Sequence, residues 1–248
     1  MTDGPAGRYP ALHAPSQGYV FIVTYGRSGS TLTQSLLNAI PGYCIRGENG
    51  NLTALLARAA DRVQHHPMFA QRRADAALPP EKRRPYLRPL LGQPFDPWAG
   101  AEAVDPQAFR LALMDAFVAQ VLRPDPGCRV CGFKEIRFHE DPEFFPTHLA
   151  VLRDSFPQAR FLFQTRRHDA VARSGWWADQ PREQVLADLA RADALFRGFA
   201  AAHPDRSRII AYEGFAHGPD YLRHIFDFLG EPFDPDAVAA LLARQLGH

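Results

Sequence analysis

An apolar run that ends abruptly in a turn of small residues constrains this chain more than any other feature. From Val20 to Leu32 it reads VFIVTYGRSGSTL, with Gly26, Arg27, Ser28, Gly29, Ser30 and Thr31 packed between a strand pattern and a helical one. A strand feeding such a turn at a helix start builds an anion site. The first helical N–H groups lack intrahelical partners, and the dipole adds about half a positive charge. Glycine lets a phosphate approach the backbone, and the hydroxyls of Ser28, Ser30 and Thr31 can donate to it. The Gly-Lys-Ser/Thr ending of a Walker A loop is missing, and the cation, Arg27, precedes the small residues instead.

Strand and helix patterns alternate along the chain, so the expected fold is α/β, a P-loop-type parallel β-sheet flanked by helices. Tyr19–Thr24, Val130–Phe138, Arg160–Gln164 and Arg208–Tyr212 read as strands, and Ile45–Asn51 leads out of another. Ser30–Ala39, Leu52–Gln64, Pro142–Phe156, Arg182–Ala202, Asp220–Leu229 and Asp236–Leu246 read as helices. So does Pro106–Leu122, whose Phe109, Leu113, Phe117 and Val121 share one face. At 248 residues and 46% hydrophobic content, one domain with one sizeable core is expected.

Residues 1–18 read as a loose N-terminal tail before the domain of residues 19–248. Residues 65–100 form a loop-rich insertion, rich in proline, where Arg72, Arg73, Lys82, Arg83, Arg84 and Arg88 cluster. Such a segment either caps a site or is a solvated excursion, and its charge hints at an acidic acceptor or partner.

The formal net charge of +1 argues against a nucleic-acid partner. No apolar stretch approaches the roughly 18 residues of a spanning helix, and the opening residues lack the pattern of a signal peptide. Three cysteines suit a reducing cytoplasm, and the Cys128-x-x-Cys131 pair reads as incidental packing. Of the 28 basic residues only Lys82 and Lys134 are lysines.

Two further segments carry information. Phe161 to Trp177 reads FLFQTRRHDAVARSGWW, with Arg166 at a strand end and Ser174 eight residues on, expected on the next helix. An arginine there offers a bidentate fork to a phosphate, and the serine adds a hydroxyl. Ile209 to Asp234 reads IIAYEGFAHGPDYLRHIFDFLGEPFD. Taken in order with the first loop, these segments resemble the sulfotransferase family that uses 3′-phosphoadenosine 5′-phosphosulfate (PAPS), and in particular its bacterial and carbohydrate-acting branch.

The resemblance implies a role for each segment. Arg27, Ser28, Gly29, Ser30 and Thr31 would hold the 5′-phosphosulfate, and Arg166 and Ser174, with Arg167 or Arg173, the 3′-phosphate. Tyr212 would hold the adenine. The glycine-rich basic segment of cytosolic members finds no counterpart up to His248. Sulfuryl transfer needs an in-line acceptor oxygen and a neutralised leaving phosphate, for which cationic side chains suffice without an obligatory metal. Arg27 is expected to act electrostatically, being a poor proton donor.

The acceptor hydroxyl needs a base, and the candidates are Glu48, His139, Glu135 and Glu213. Glu48, in IRGEN, matches the segment where the bacterial and carbohydrate-acting members carry a base, and Arg27 is expected to keep it ionised. Lys134 is expected to orient the acceptor or the sulfonate, while Glu135 and Arg137 read as an ordinary surface face. One of Trp176 and Trp177 is expected in the core and the other at an acceptor pocket. The expected reaction transfers a sulfuryl group to a hydroxyl, with the acceptor tilted towards a carbohydrate or glycoconjugate. A P-loop kinase and a non-catalytic nucleotide-binding protein are the alternatives.

Overall fold

The computed structural model describes residues 5–246. Its centre is a five-stranded sheet: β1 (Tyr19–Val23), β2 (Tyr43–Arg46), β3 (Val130–Glu135), β4 (Arg160–Thr165) and β5 (Ser207–Ala211). Every pairing is parallel and the order is β2-β3-β1-β4-β5. The first strand is thus central, flanked by two strands that come much later in the chain. That reversal of direction is where ligands bind in open α/β sheets, outside the carboxyl ends of the strands.

Strand periodicity sorts the core into two layers. Tyr19, Phe21 and Val23 point to one side, with Phe133, Phe161 and Phe163. Helices α3 (Leu52–His65), α5 (Pro106–Phe117), α6 (Phe145–Ser155) and α8 (Arg182–Ala202) cover that side. Val20 and Ile22 point to the other, against α2 (Ser30–Asn38), α9 (Arg223–Leu229) and α10 (Pro235–Leu246). A strand buried on both faces is apolar throughout, and β1 is wholly buried. The sheet is packed tightly at its middle, where a Cβ on Gly132 would lie 1.7 Å from the Val20 carbonyl oxygen.

Three expectations need correction. The segment read as a loose tail is anchored from Tyr9 onward. Short helix α1 (Pro5–Arg8) leads into buried Tyr9 and Leu12; the Leu12 N–H donates to Asp115 at 2.8 Å, and the Tyr19 hydroxyl to the Leu12 carbonyl at 3.0 Å. Two apolar side chains against α5 outweigh the local glycine and proline signal. The insertion contains a helix, α4 (Pro67–Ala76), packed on the α3 side of the fold and followed by short 3₁₀ turns. Finally, α5 passes into a π turn at Val118–Leu122. That wider turn shifts the phase by one residue, so Val118 and Leu122 are buried and Val121 is exposed.

Candidate active site

The loop after β1 is shaped by positive φ angles. Arg27 takes φ 67° and Gly29 φ 84°, the latter as N-cap of α2. A non-glycine residue in the left-handed region is uncommon and costs about 1 kcal/mol or more, which points to a job for Arg27. Below the loop, the Thr24 hydroxyl contacts Ser28 Oγ at 2.7 Å and the Gln164 carbonyl at 2.9 Å, while Gln164 Nε2 donates to the Ser28 carbonyl at 3.2 Å. Ser28 is fully buried, so its hydroxyl braces the loop and does not face a ligand, contrary to expectation.

Arg166, directly after β4, leans into this loop. Its Nη1 donates to the Arg27 carbonyl at 3.0 Å, its guanidinium lies 4.3 Å from the Tyr212 ring centre, and its Nε is buried without a partner among the described residues. The Tyr212 ring also fills the space a Cβ on Gly29 would need, at 2.2 Å. Tyr25, which the sequence reading passed over, fixes the Arg166 backbone: its hydroxyl accepts from the Arg166 N–H at 2.9 Å and lies 3.2 Å from Asp193. Arg27 Nε donates to Ser174 Oγ at 2.9 Å, joining the loop after β1 to the segment that follows β4. Ser174 sits in extended backbone after α7 (His168–Ala172), not on that helix as expected, because the helix stops short of it.

A second group of charges faces the loop from β3 and the β2–α3 connection. Lys134 Nζ donates to Glu48 Oε1 at 2.6 Å, and Arg137 Nη1 to Glu48 Oε2 at 3.2 Å. Burial would raise the Glu48 pKa, but the Lys134 hydrogen bond and charge, and then those of Arg137, hold it below the usual carboxylate range. Lys134 and Arg137, rather than Arg27, therefore keep Glu48 ionised. Lys134 is committed to Glu48, and Arg137 is no ordinary surface residue.

The rival bases have other employment. Glu135 is fully buried: Oε2 accepts from the backbone N–H groups of Asn49 (3.1 Å) and Asn51 (2.8 Å), and Oε1 from the Ile136 backbone N–H (2.8 Å) and from Arg137 Nη1 (3.2 Å). It pins the loop that presents Glu48. Glu213 accepts from the Arg167 N–H at 2.9 Å. His139 lies in a neighbouring cavity, and burial pushes its ring down to about 4, so it is neutral at pH 7. The three cysteines are free thiols, and burial raises that of Cys128 to about 11.

These groups enclose one cavity of about 470 Å³, lined by Arg27, Gly29, Ser30, Thr31, Glu48, Lys134, Arg166 and Tyr212 together with Gly26, Leu32, Ile136 and Trp176. The model of the sulfotransferase family matches residues 19–235. The chain belongs to that family. A comparison with curated proteins gave no match. The sheet and its covering helices are accordingly the P-loop-type sulfotransferase fold, and sulfuryl transfer is the chemistry of the group. Among the described residues of this sulfotransferase no helix is long and apolar enough to cross a membrane.

Proposed function

We propose that this sulfotransferase moves a sulfuryl group from PAPS to an acceptor hydroxyl on a carbohydrate or glycoconjugate. One observation carries the reading: the α2 start, Arg27, Arg166 and the Lys134–Glu48 pair open into a single cavity. The residues suit an adenosine bisphosphate. Gly29, Ser30 and Thr31 at the α2 start line the cavity, and Arg166 has a buried Nε without a partner among the described residues. The bound donor would supply an activated sulfur.

Glu48 takes the proton of the acceptor hydroxyl as that oxygen bonds to sulfur and the sulfur–phosphate oxygen bond breaks. Lys134 and Arg137 hold the carboxylate ionised and in place, at some cost in basicity. Arg27 and the loop N–H groups neutralise the leaving phosphate. Arg166 with Ser174 takes the 3′-phosphate, and Tyr212 holds Arg166 beside the nucleotide. The IRGEN segment and the arginine loop favour the carbohydrate acceptor, and three free thiols suit a reducing cytoplasm.

Calorimetric titration with 3′-phosphoadenosine 5′-phosphate, and separately with ATP, both without magnesium, tests the donor. Micromolar binding of the bisphosphate with much weaker ATP is expected; a preference for magnesium–ATP would put a kinase in its place. Glu48→Gln should lower kcat by about 10²–10⁴-fold, the usual worth of a positioned base, while bisphosphate affinity stays within about twofold. Retained turnover in that variant would remove Glu48 from the mechanism, and lost bisphosphate binding would make it a structural residue.

A further inference from the structure

A second cavity, of about 460 Å³, shares Gly26, Ile136 and Trp176 with the first. Trp176 is the partition between them. It is about half exposed, and its ring rests where a Cβ on Gly26 would sit, 2.2 Å away. Trp177 beside it is held by a bond from its Nε1 to the Gly26 carbonyl at 3.0 Å. The cavity thus opens directly off the loop where the leaving phosphate must lie, on the side away from α2.

Its walls combine indole surface with flat polar groups: His139, Gln180 and the Asp188–Arg191 pair on α8. Two carboxylates, Asp188 and Glu140, line it with two guanidiniums, Arg191 and Arg137, and Arg137 is already shared with Glu48 and Glu135, so no positive charge is in excess. Arg137 lies 3.9 Å from Glu140, and Arg191 is bonded to Asp188. The His139 ring adds no charge at neutral pH, because burial holds it neutral. A compartment so lined gives a polyanion no net attraction, and a purely apolar ring would shut Gln180 and the outer faces of these ion pairs off from water. Indole faces beside planar donors and acceptors suit a ring that is apolar on its C–H face and hydroxylated at its edge.

We propose that this second cavity is the acceptor subsite and that it selects an uncharged, hydroxyl-rich sugar ring, with Trp176 as its stacking wall and the Asp188–Arg191 pair reading its hydroxyls. The proposal rests on the donor site described above. It also turns away from the acidic acceptor that the basic insertion suggests: Arg72 and Arg84 there are paired with Asp96 and Asp75, and no residue of the insertion lines either cavity.

The test uses the full chain with saturating PAPS. The methyl glycosides of glucose, galactose, mannose and N-acetylglucosamine are compared with methyl glucuronide, a sulfated methyl galactoside and 2-naphthol as acceptors. At least one neutral glycoside should be turned over, with kcat/KM at least tenfold above every charged or phenolic probe. Asp188→Ala together with Arg191→Ala should raise KM for that glycoside at least tenfold, leaving kcat and bisphosphate affinity within about twofold; Trp176→Ala should raise KM further. Preference for a charged saccharide or for 2-naphthol, no turnover of any neutral glycoside, or an unchanged KM in the double variant overturns the assignment, provided that the wild type binds the bisphosphate. Absence of bisphosphate binding in the wild type overturns the donor site itself and this subsite with it.

Discussion

Two arginine-rich regions of this sulfotransferase use the same side chain in opposite ways. In the insertion, Arg72 is almost fully buried and bonded through both Nη atoms to Asp96, and Arg84 is paired with Asp75. At the loop after β1, neither Arg27 nor Arg166 is paired with a carboxylate among the described residues; they bond to Ser174 and to the Arg27 carbonyl. A guanidinium bonded to a buried carboxylate is structure, whereas one held by neutral acceptors keeps its charge for an anion. Charge counted along the sequence cannot tell the two apart. What faces each arginine decides.

The strongest way to break this contrast is Arg72→Ala. Removing one partner of a buried pair leaves Asp96 charged and unpaired, a loss of about 3–5 kcal/mol. Urea unfolding should show that loss, while bisphosphate affinity of the folded protein stays within about threefold. A tenfold or greater loss of affinity would mean that the insertion and the donor cavity are one energetic unit. Arg166→Ala is the mirror experiment. Losing a charge-assisted contact worth about 1.5–3 kcal/mol should weaken the bisphosphate roughly 10- to 150-fold. Stability should change by no more than about 1 kcal/mol, since the side chain sits among neutral acceptors. A large stability loss with intact binding would reverse the assignment of Arg166.

The same contrast shows how much was legible in the sequence. The strands, the loop and Arg166 were readable because backbone chemistry there follows local pattern: an apolar strand, small residues, a helix start. Six of the eight residues expected at the donor site line one cavity, and Ser28 and Ser174 do not. Side-chain partnerships across the sheet were not readable. Lys134 and Glu48 lie far apart in sequence and meet only because β2 pairs with β3. Glu135 looked like a surface carboxylate or a base, yet the fold turns it inward to receive four hydrogen bonds. Tyr25 lay within the quoted motif, but its role depends on Asp193, contributed by α8.

A smaller effect separates the charged site from its scaffold by pH. His148, on α6, is buried with its Nε2 2.9 Å from Thr53 Oγ1, and burial pushes it down to about 3, from an ordinary value of 6.5. Its folded pKa lies below its unfolded one, so between those values the unfolded chain binds the extra proton and stability falls as pH falls. Lowering the pH from 6.5 to 5 should therefore cost about 1.5 kcal/mol through this one ring. Glu48 is shifted in the same direction but at the site: its carboxyl is held below 4.5, so it stays ionised across that whole window. Loss of activity between pH 6.5 and 5 should then follow the folded fraction and not the base. His148→Phe, which keeps a ring against Phe138, should roughly halve the stability slope over that interval, because buried His139, pushed down to about 4, adds a share of similar size. If the slope is unchanged in the variant, other buried groups carry the acid sensitivity. If kcat falls in this window while the protein stays folded, the carboxylate of Glu48 is not the titrating base.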